Sequence, residues 1–414
     1  MSQNVHRSAR RSLAAHARQM DRLDLRIMIC VIVLNVFGCV MVYSASAYSC
    51  AMNELYHYDH AYFLKRQIIF VLMGVVTMLV VRLMDYRKWI KLSYWVFGVS
   101  LVSLFLLYTP LAVTSHGASR WINLGFFQLQ VAEVVKVGVI LAAACFLHRH
   151  AQSVNSIRKL AIYLWLFLGV IPAGMVYVIS DNLSSAVIIV GIVFLMTFVV
   201  TKMTKTHLVC LLIAVAAAFG LYQHYSSNLP TQEELNKMPF REGRMYAWVA
   251  PENYADDQGF QPLQGMYAVA SGGLFGKGLG NSVQKLEKIP EAQNDMIFAI
   301  ICEELGMVGA AVMLAMFAYL VYHILRVAAT SETLYGKGIC LGVAFHIALQ
   351  VLANVGVVLG ILPNTGVSLP FISYGGSAIL FTMLEIGMVL SVDRQHTKAH
   401  LKRKRRQLER EMQQ

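Results

Sequence analysis

Charged residues are scarce in this sequence. Aspartate, glutamate, lysine and arginine together account for 14% of its 414 residues, whereas 57% are hydrophobic. Soluble globular domains carry about 25% charged residues, so this composition excludes an ordinary soluble protein. Apolar segments long enough to cross a bilayer, which takes about 20 residues in a helix, recur along the chain. The composition therefore predicts a protein that crosses a membrane several times.

Cysteine motifs and a cleavable signal sequence are also lacking. The seven cysteines form no CxxC pair, and all but Cys50 lie in or beside apolar runs, where cysteine behaves as a small hydrophobic residue. This distribution favours neither a disulfide framework nor a metal site. Residues 1–26 are rich in arginine, and the apolar run behind them is too long for the core of a signal peptide. Their composition also fits a transit peptide, but a cytosolic tail is the simpler interpretation.

Ten apolar runs predict the membrane-spanning helices. Because backbone polar groups in lipid must be hydrogen-bonded within the protein, each run is expected to be an α-helix, and the fold class is predicted to be all-α. The longest stretch between runs, residues 224–295, separates the seventh from the eighth. The predicted spans are 27–47, 67–82, 90–110, 130–148, 159–179, 183–201, 206–223, 296–325, 339–360 and 372–392.

Positive charge marks one side of the membrane. Most of the 35 lysines and arginines lie before the first span, after the last span, or in alternate loops between them. By the positive-inside rule that side is the cytoplasm. We therefore predict basic cytoplasmic tails at 1–26 and 394–414 around a transmembrane domain at 27–393, in a plasma membrane. The tails are expected to fix topology and touch anionic lipid headgroups, rather than bind nucleic acid.

The opposite, external side carries the remaining loops. Residues 224–295 contain interleaved aromatic, basic and acidic residues, which favour an ordered cap on the membrane surface. A loop of this length between spans is usually functional or disordered. Residues 362–377 are too polar and too broken for a spanning helix. They are predicted to form a re-entrant or interfacial segment surrounded by protein or water.

Two charges lie inside the fourth span. Glu133 and Lys136 are three residues apart, so they share one face of a helix. Such residues are rare within membranes and usually face a cavity or each other. A structural ion pair and a contribution of Lys136 to an anion site are both open. Arg120, next to Trp121 and just outside this span, is placed to bind a lipid phosphate or to anchor the protein at the interface.

The glycine-rich run at 272–280 has the composition of a nucleotide-binding loop but not the spacing. It lacks the GxxxxGK[ST] pattern of a Walker A loop, and no βαβ unit surrounds it. The glycines are expected to let the backbone pack closely against a ligand or a neighbouring segment. Lys277, Lys285 and Lys288 add positive charge to the same surface.

Two aspartates stand at the external ends of predicted helices. Asp181 precedes the sixth span and is expected to be its N-cap. Asp295 precedes the eighth span, after the sequence PEAQN, and an N-cap role shared with Asn294 is one interpretation. Partial burial at a membrane mouth would raise the pKa of the Asp295 carboxyl towards that of a useful base. The two roles of Asp295 are compatible.

Five sequence blocks resemble the signature blocks of the SEDS family, which comprises the FtsW, RodA and SpoVE proteins of bacterial division, elongation and sporulation. The blocks occur in family order across roughly residues 27–392, and residues 281–286 and the basic N-terminal tail resemble the FtsW/SpoVE branch more than RodA. One departure is Val131-Ala132, where the family has Pro-Ser. The blocks are GASRWI at 117–122, the glycine run at 272–280, PEAQND at 290–295, EELG at 303–306 and LPFISYGGS at 369–377.

The resemblance implies a peptidoglycan glycosyltransferase that polymerises lipid II during cell division. It implies Asp295 as the essential aspartate, and a class B penicillin-binding transpeptidase and other division proteins as partners. Inversion at the anomeric carbon, with undecaprenyl pyrophosphate leaving, needs a base at the acceptor and positive charge at the leaving group. Asp295 is expected to be that base. Candidates for binding the pyrophosphate or glycan are Arg120, Glu133, Lys136, Arg241, Arg244, Lys277, Lys285 and Ser377.

Two other functions fit the same spans. A transporter that flips lipid II would also carry charges inside the membrane and a broken external segment. A non-catalytic scaffold for division proteins would need no base at Asp295. No cofactor is required by the sequence. A divalent cation, Mg²⁺ or Mn²⁺, would be able to share the binding of pyrophosphate, although no tight cluster of ligands is visible.

Overall fold

A computed structural model gives the structure of the chain for residues 2–115, 118–125, 127–150, 161–201, 203–235, 237–286 and 289–411. Residue 117 of the first signature block and Lys288, both named above, lie outside these residues. The helices are α1 (Ser2–Met52), α2 (Tyr62–Leu83), α3 (Trp89–Leu104), α4 (Val131–Arg149), α5 (Ala161–Ser180), α6 (Leu183–Thr201), α7 (Thr204–Ser227), α8 (Gln232–Leu235), α9 (Phe240–Val249), α10 (Phe260–Gly272), α11 (Ile297–Thr330), α12 (Leu334–Val358) and α13 (Gly376–Glu411).

Ten helices in the described part of the chain are long and apolar enough to cross a membrane. They correspond one to one with the ten predicted spans, so the predicted polytopic fold is confirmed. The main differences lie at the ends. The second span begins at Tyr62 rather than 67, and the ninth at Leu334 rather than 339. These helices extend beyond their apolar runs because polar side chains at their ends reach the membrane surface. Composition alone does not mark that extension.

A small antiparallel sheet is the one departure from the all-α prediction. Strands β1 (Ala112–Ser115), β2 (Ala118–Asn123) and β3 (Gln128–Gln130) pair in the order β1-β2-β3 within the external loop 111–129. In this register Trp121 lies opposite both Val113 and Gln130. β3 runs directly into α4, so the sheet fixes the external end of that helix and carries Arg120 on its central strand.

Helix α4 forms the centre of the bundle, with 83% of its most apolar window buried. Small residues allow its close packing. Gly138 faces Ser100 of α3, while Gly338 and Gly342 of α12 face Ala144 and Ile140 of α4. Association between helices in lipid depends on this kind of backbone approach, because lipid tails are as apolar as the side chains. Helix α7, in contrast to α4, has only 6% of its most apolar stretch buried, and its middle stands away from the bundle.

The long segment after α7 is folded, as the sequence predicts. It contains α8, α9 and α10, with its own small core of Leu235, Tyr246, Ala247 and Tyr254. Tyr254 Oη donates to Pro230 O at 2.9 Å within the segment, and a second bond, from Trp248 Nε1 to Gly360 O at 3.0 Å, ties the segment to the bundle. The second bond fixes α9 over the external end of α12, where the functional site lies.

The glycine-rich run packs against a break in α11. Gly306 has φ 67° and ψ −174°, which interrupts the helix and frees backbone groups at Glu303 and Glu304. Lys277 N donates to Glu303 O and Gly278 N to Glu304 O, both at 2.9 Å. A Cβ at Gly276 or Gly306 would collide with backbone atoms of the facing segment. The expected close approach therefore occurs, and its partner is α11 itself.

Candidate active site

The segment 361–375 lies between α12 and α13 without regular helix. Its inner residues Val367, Leu369 and Phe371 are buried. Side chains satisfy its backbone: Asn354 Nδ2 donates to Val367 O at 2.7 Å, and Gln350 Nε2 donates to Ser368 O at 3.1 Å. This is the irregular, protein-enclosed segment that the sequence predicts at 362–377, and it forms the floor of the site.

Asp295 lies at the edge of this floor and is half-buried. Its backbone carbonyl accepts a 2.7 Å hydrogen bond from Asn354 Nδ2, and Gln261 Nε2 approaches its Oδ1 at 3.4 Å. A Cβ on Gly366 would lie 3.8 Å from Asp295 Oδ2 and 3.9 Å from Arg120 Nη1. The carboxylate and a guanidinium therefore both lie within 4 Å of the space that the absent side chain of Gly366 leaves open.

Both N-cap expectations are wrong. Helix α11 is capped by Met296 without a side-chain hydrogen bond, so the Asp295 carboxylate is not held as a cap. Asp181 has φ 54° and ends α5. The cap of α6 is its neighbour Asn182, whose Oδ1 accepts from Ser185 N at 3.0 Å. Neither carboxylate is therefore engaged in capping a helix.

Burial raises the pKa of the Asp295 carboxyl to about 6, and the charge of Glu291 adds to the increase. Arg244 and the backbone amides of Asp295 and Met296 oppose it. The pKa values of Arg120 and Arg244 are lowered, chiefly by burial. Partly desolvated cations next to a carboxyl of near-neutral pKa form an environment in which a bound anion and a proton acceptor coexist.

Three arginines, Arg120 on β2 and both Arg241 and Arg244 on α9, line one cavity of about 370 Å³, which we call the arginine pocket. Arg120 Nη2 donates to Asp181 O at 2.7 Å, and Arg244 Nη1 donates to Asn364 O at 3.3 Å. Arg241 forms an ion pair with Asp181. The pocket is lined by these three guanidinium groups and by the carboxylates of Asp181 and Glu242, so its lining holds one more cation than anions. An anion site requires such an excess.

A larger apolar cavity of about 770 Å³ adjoins the arginine pocket and shares Asn364 with it. It lies between α7 and the bundle. Its walls are mainly apolar and aromatic, and include Phe219, Trp248 and Ile361. Because α7 stands away from the bundle, a hydrocarbon chain has access to this cavity from the membrane. The two cavities together suit an amphiphile with an anionic head.

Glu133 and Lys136 form the ion pair that their spacing predicts, with Nζ 2.7 Å from Oε1, and both are buried. Lys136 Nζ also donates to Gln350 Oε1 at 3.1 Å, and Gln350 in turn holds Ser368. The pair thus supports the floor of the site from beneath instead of lining the arginine pocket. Ser377 is placed similarly, because its Oγ accepts from Gln130 N at 3.2 Å at the start of α4.

Lys277 and Lys285 contact neither Asp295 nor the arginine pocket. Lys277 Nζ lies 2.6 Å from Glu303 Oε1, and Lys285 Nζ lies 2.7 Å from Glu304 Oε1. Ser44 Oγ completes the second pair, at 2.7 Å from Glu304 Oε1. These glutamates follow Asp295 by two to three helical turns, or about 12 Å along the axis. Both lysines therefore hold the glycine-rich run on α11.

Sequence reasoning missed the amide side chains of the site: Gln261, Gln350, Asn354 and Asn364. A signal exists for two of them, because Gln350 and Asn354 are four residues apart in an otherwise apolar helix. Such spacing places both on one face. Among the described residues, no group of three or more His, Cys, Asp or Glu side chains is arranged to hold a metal ion.

The chain matches a protein-family model described as cell cycle protein, FtsW/RodA/SpoVE, over residues 24–398. The chain belongs to this family. It is 33% identical to stage V sporulation protein E of Bacillus subtilis over 90% of this chain and 97% of that protein. It is 34% identical to a probable peptidoglycan glycosyltransferase FtsW of Trichlorobacter lovleyi, over 90% of this chain and 94% of that protein.

A solved structure supports the same assignment to the FtsW/RodA/SpoVE family. It is the structure of a peptidoglycan synthase complex that coordinates polymerization and crosslinking. One of its chains superposes on this chain with a TM-score of 0.70 at 26% identity, covering 89% of this chain and 97% of that one. The resemblance that the sequence blocks indicate is therefore confirmed across nearly the whole transmembrane domain.

Replacement of Asn354 by alanine tests the floor of the site. It removes hydrogen bonds to two buried carbonyls, those of Asp295 and Val367, and unpaired groups of this kind cost about 1–3 kcal/mol each. We expect the turnover rate on lipid II to fall about tenfold or more, with a smaller change in KM. Asn228→Ala, at the exposed end of α7, is the control. Equal rates for the two variants would contradict the positioning role.

Proposed function

We propose that this chain is a peptidoglycan glycosyltransferase that joins lipid II into β-1,4-linked glycan strands for the division septum. The observation that carries the proposal is that Asp295 Oδ2 and Arg120 Nη1 both lie within 4 Å of the space left open at Gly366, with Arg244 close enough to act on the Asp295 charge. One carboxyl of raised pKa therefore lies near guanidinium groups that line a cavity. Inverting transfer from a lipid pyrophosphate needs this combination.

The reaction follows from these positions. The acceptor 4-hydroxyl attacks the anomeric carbon of the donor sugar from the side opposite the pyrophosphate. Asp295 accepts the hydroxyl proton as the new C–O bond forms. The bond between the anomeric carbon and the pyrophosphate oxygen breaks, and its electron pair leaves with undecaprenyl pyrophosphate. Arg120, Arg241 and Arg244 stabilise the charge that develops on that oxygen, and the apolar cavity beside α7 holds the first part of the polyprenyl chain.

The orientation in the membrane is part of the proposal. Basic residues at both ends of the described chain and in alternate loops support cytoplasmic termini, and the Asp295 side then faces outward. Lipid II presents its sugars on that face. A class B penicillin-binding transpeptidase and other division proteins are the proposed partners. The solved relative from a peptidoglycan synthase complex supports a partner of this kind.

Divalent cations have a secondary place in this proposal. No ready-made protein site for Mg²⁺ or Mn²⁺ is present among the described residues, and the arginine pocket already carries positive charge. An ion would be held mainly by the pyrophosphate oxygens. EDTA is therefore expected to lower the rate of polymerisation without abolishing it. Complete loss of activity, restored by Mg²⁺ or Mn²⁺, would contradict the proposal that the arginine pocket supplies most of the positive charge at the pyrophosphate.

Arg244→Gln tests the assignment of the leaving-group site. The loss of one cation that acts on a developing oxyanion typically reduces turnover by about 10²- to 10³-fold. We expect kcat for lipid II to fall in that range when glycan length and rate are followed on gels. Lys237→Gln removes an exposed external cation and is the matched control. A similar small effect for both variants would show that the arginine pocket does not bind the leaving group.

A lipid II flippase is the competing function. The Glu133–Lys136 pair lies within the membrane, but its charges are bonded to each other and to Gln350. A flippase should transfer labelled lipid II across vesicles without lengthening it. The proposed glycosyltransferase should lengthen it in detergent, where no two sides exist.

A further inference from the structure

A cluster of aromatic rings and one arginine occupies the external end of α2. We call Tyr56, Tyr62, Phe63, Arg66 and Tyr374 the tyrosine–arginine patch. The Tyr62 and Phe63 rings meet edge to face with centroids 5.3 Å apart, and Phe63 meets Tyr374 at 4.7 Å. The guanidinium carbon of Arg66 lies 4.5 Å from the centroid of the Tyr62 ring. Arg66 also hydrogen-bonds the Tyr374 side chain.

The positive charge of Arg66 is available to an external partner. It is exposed and forms no ion pair with a carboxylate in the ranges that the structure describes. The neighbouring Lys65 is different, because its Nζ lies 2.6 Å from Asp59 Oδ2. A guanidinium has five N–H donors, so Arg66 has donors for phosphate or carboxylate oxygens beyond its contacts with Tyr62 and Tyr374.

The patch adjoins the segment that carries the proposed base. Tyr374 N donates to Gln293 O at 2.9 Å, two residues before Asp295. Burial raises the pKa of Tyr56, and Cys50 and Glu291 raise it further, which places Glu291 within electrostatic range of this ring. The arginine pocket adjoins the same aspartate but is built from β2, α5, α6, α7, α9 and residues 363–365. Two separate cationic sites therefore flank residues 290–295.

Backbone strain is concentrated around these two sites. Five non-glycine residues in the described chain have positive φ, and all lie in external segments. His57 and Tyr58 lie in the turn before the patch, Glu291 precedes Asp295, and Asp181 lines the arginine pocket. The fifth is Phe371, in the floor of the site. Such backbone conformations are energetically unfavourable and cluster at functional sites. Simple interfacial anchoring of aromatic rings requires no such strain.

Below Arg66, α2 presents an apolar face to the lipid. Ile69, Leu72 and Val76 are 55%, 60% and 61% exposed, and their spacing places them on one side of the helix. A molecule with its anionic group at Arg66 would therefore have its hydrocarbon chain along this face, in the outer leaflet. This arrangement repeats, with different residues, the combination of a cationic pocket and an apolar cavity beside α7.

A polymerase must hold two lipid-linked molecules at once, a donor and an acceptor, and each carries a pyrophosphate. We propose that the tyrosine–arginine patch is the second lipid-pyrophosphate subsite, which binds the acceptor lipid II. Arg66 contacts its pyrophosphate, and Tyr62 and Tyr374 pack against its first sugar. This assignment rests on the proposed function. It directs the acceptor hydroxyl towards Asp295 from the side of α2, while the donor occupies the arginine pocket.

Binding stoichiometry tests the assignment directly. In the full-length Asp295→Asn protein, which cannot consume its substrate, native mass spectrometry should detect two molecules of lipid II per chain. Adding Arg66→Gln should reduce this number to one, because the donor still occupies the arginine pocket. Lys237→Gln should leave two, and Arg66→Lys should restore much of the second site. In a polymerisation assay, Arg66→Gln should raise KM for lipid II about tenfold at nearly unchanged kcat.

Three outcomes would overturn the second subsite. The first is that the Arg66→Gln protein still binds two molecules of lipid II. The second is that the protein with Arg66 unaltered binds only one. The third is that phosphatidylglycerol, at a concentration comparable to that of lipid II, displaces lipid II from Arg66. The last result would identify the patch as a general anchor for anionic lipid. Failure of the proposed function itself gives a different result, because wild type would then not lengthen lipid II, whereas failure of the second subsite alone leaves polymerisation by wild type intact.

Discussion

Asp295→Asn is expected to reduce lipid II polymerisation by about 10²- to 10⁴-fold, the usual contribution of a positioned general base. Asparagine preserves the size of the side chain and leaves the backbone hydrogen bond from Asn354 intact. It cannot accept the proton of the acceptor hydroxyl. The measurement is the initial rate of glycan formation by purified protein, with binding of lipid II as a separate readout that should change little.

The pH dependence identifies the group that acts. Since burial raises the pKa of Asp295 to about 6, the wild-type rate should fall on the acid side of that value and level off above it. The residual rate of Asp295→Asn should lack this limb. Glu291→Gln is the matched variant, because Glu291 contributes to the raised pKa, and its limb should move to lower pH. An unchanged limb in Asp295→Asn would assign the titration to another group.

Stability provides the control for Asp295→Asn. The folded-state pKa of this carboxyl, about 6, lies above the ordinary aspartate value of 3.8, so folding favours its protonated form. Its contribution to stability is therefore lost as pH rises from about 4 to about 6. At pH 7 the asparagine variant should unfold at the same temperature as wild type or slightly above it. A lower unfolding temperature would mean that inactivity reflects misfolding rather than a missing base.

Lys136→Met is expected to have the largest effect on stability. It leaves Glu133 buried at the centre of the bundle without its cation, and breaking such a pair costs about 3–5 kcal/mol. We expect poor yield in membranes and a lower unfolding temperature in detergent. The Glu133→Gln and Lys136→Met double variant should recover much of the loss, because it removes both charges at once.

This comparison separates two roles for Lys136. A structural pair predicts that stability and activity fall together in the single variant and recover together in the double variant. If Lys136→Met remained as stable as wild type but lost turnover, Lys136 would act on the substrate directly. Lys237→Met, at an exposed external position, controls for the loss of a lysine in general.

Much of the fold is predictable because a membrane imposes one dominant pattern. The ten spans follow from apolar length, and the Glu133–Lys136 pair follows from helical spacing. The break at Gly306 does not, because a glycine in an apolar run looks like ordinary helix until a second segment packs against it. For the same reason the pairing of Lys277 with Glu303 could not be predicted from their distance along the chain.

The candidate site, like the fold, is predictable from the sequence only in part. Asp295 was predicted from its place at a helix mouth and from its family block. Its meeting with Arg120 and Arg244 depends on how β2, α9 and segment 361–375 fold over one another, which no local pattern encodes. The cap of α6 is a one-residue example. Asp181 and Asn182 are equally good cap residues by type, and only the left-handed turn at Asp181 selects Asn182.

The most direct test of the central claim is lipid II polymerisation by the purified full-length chain in detergent, with and without a class B transpeptidase. We predict β-1,4-linked strands from wild type and almost none from Asp295→Asn at pH 7. If neither protein lengthens lipid II while wild type moves it across vesicles, or if both lengthen it equally, the chain is not a glycosyltransferase that uses Asp295 as its base.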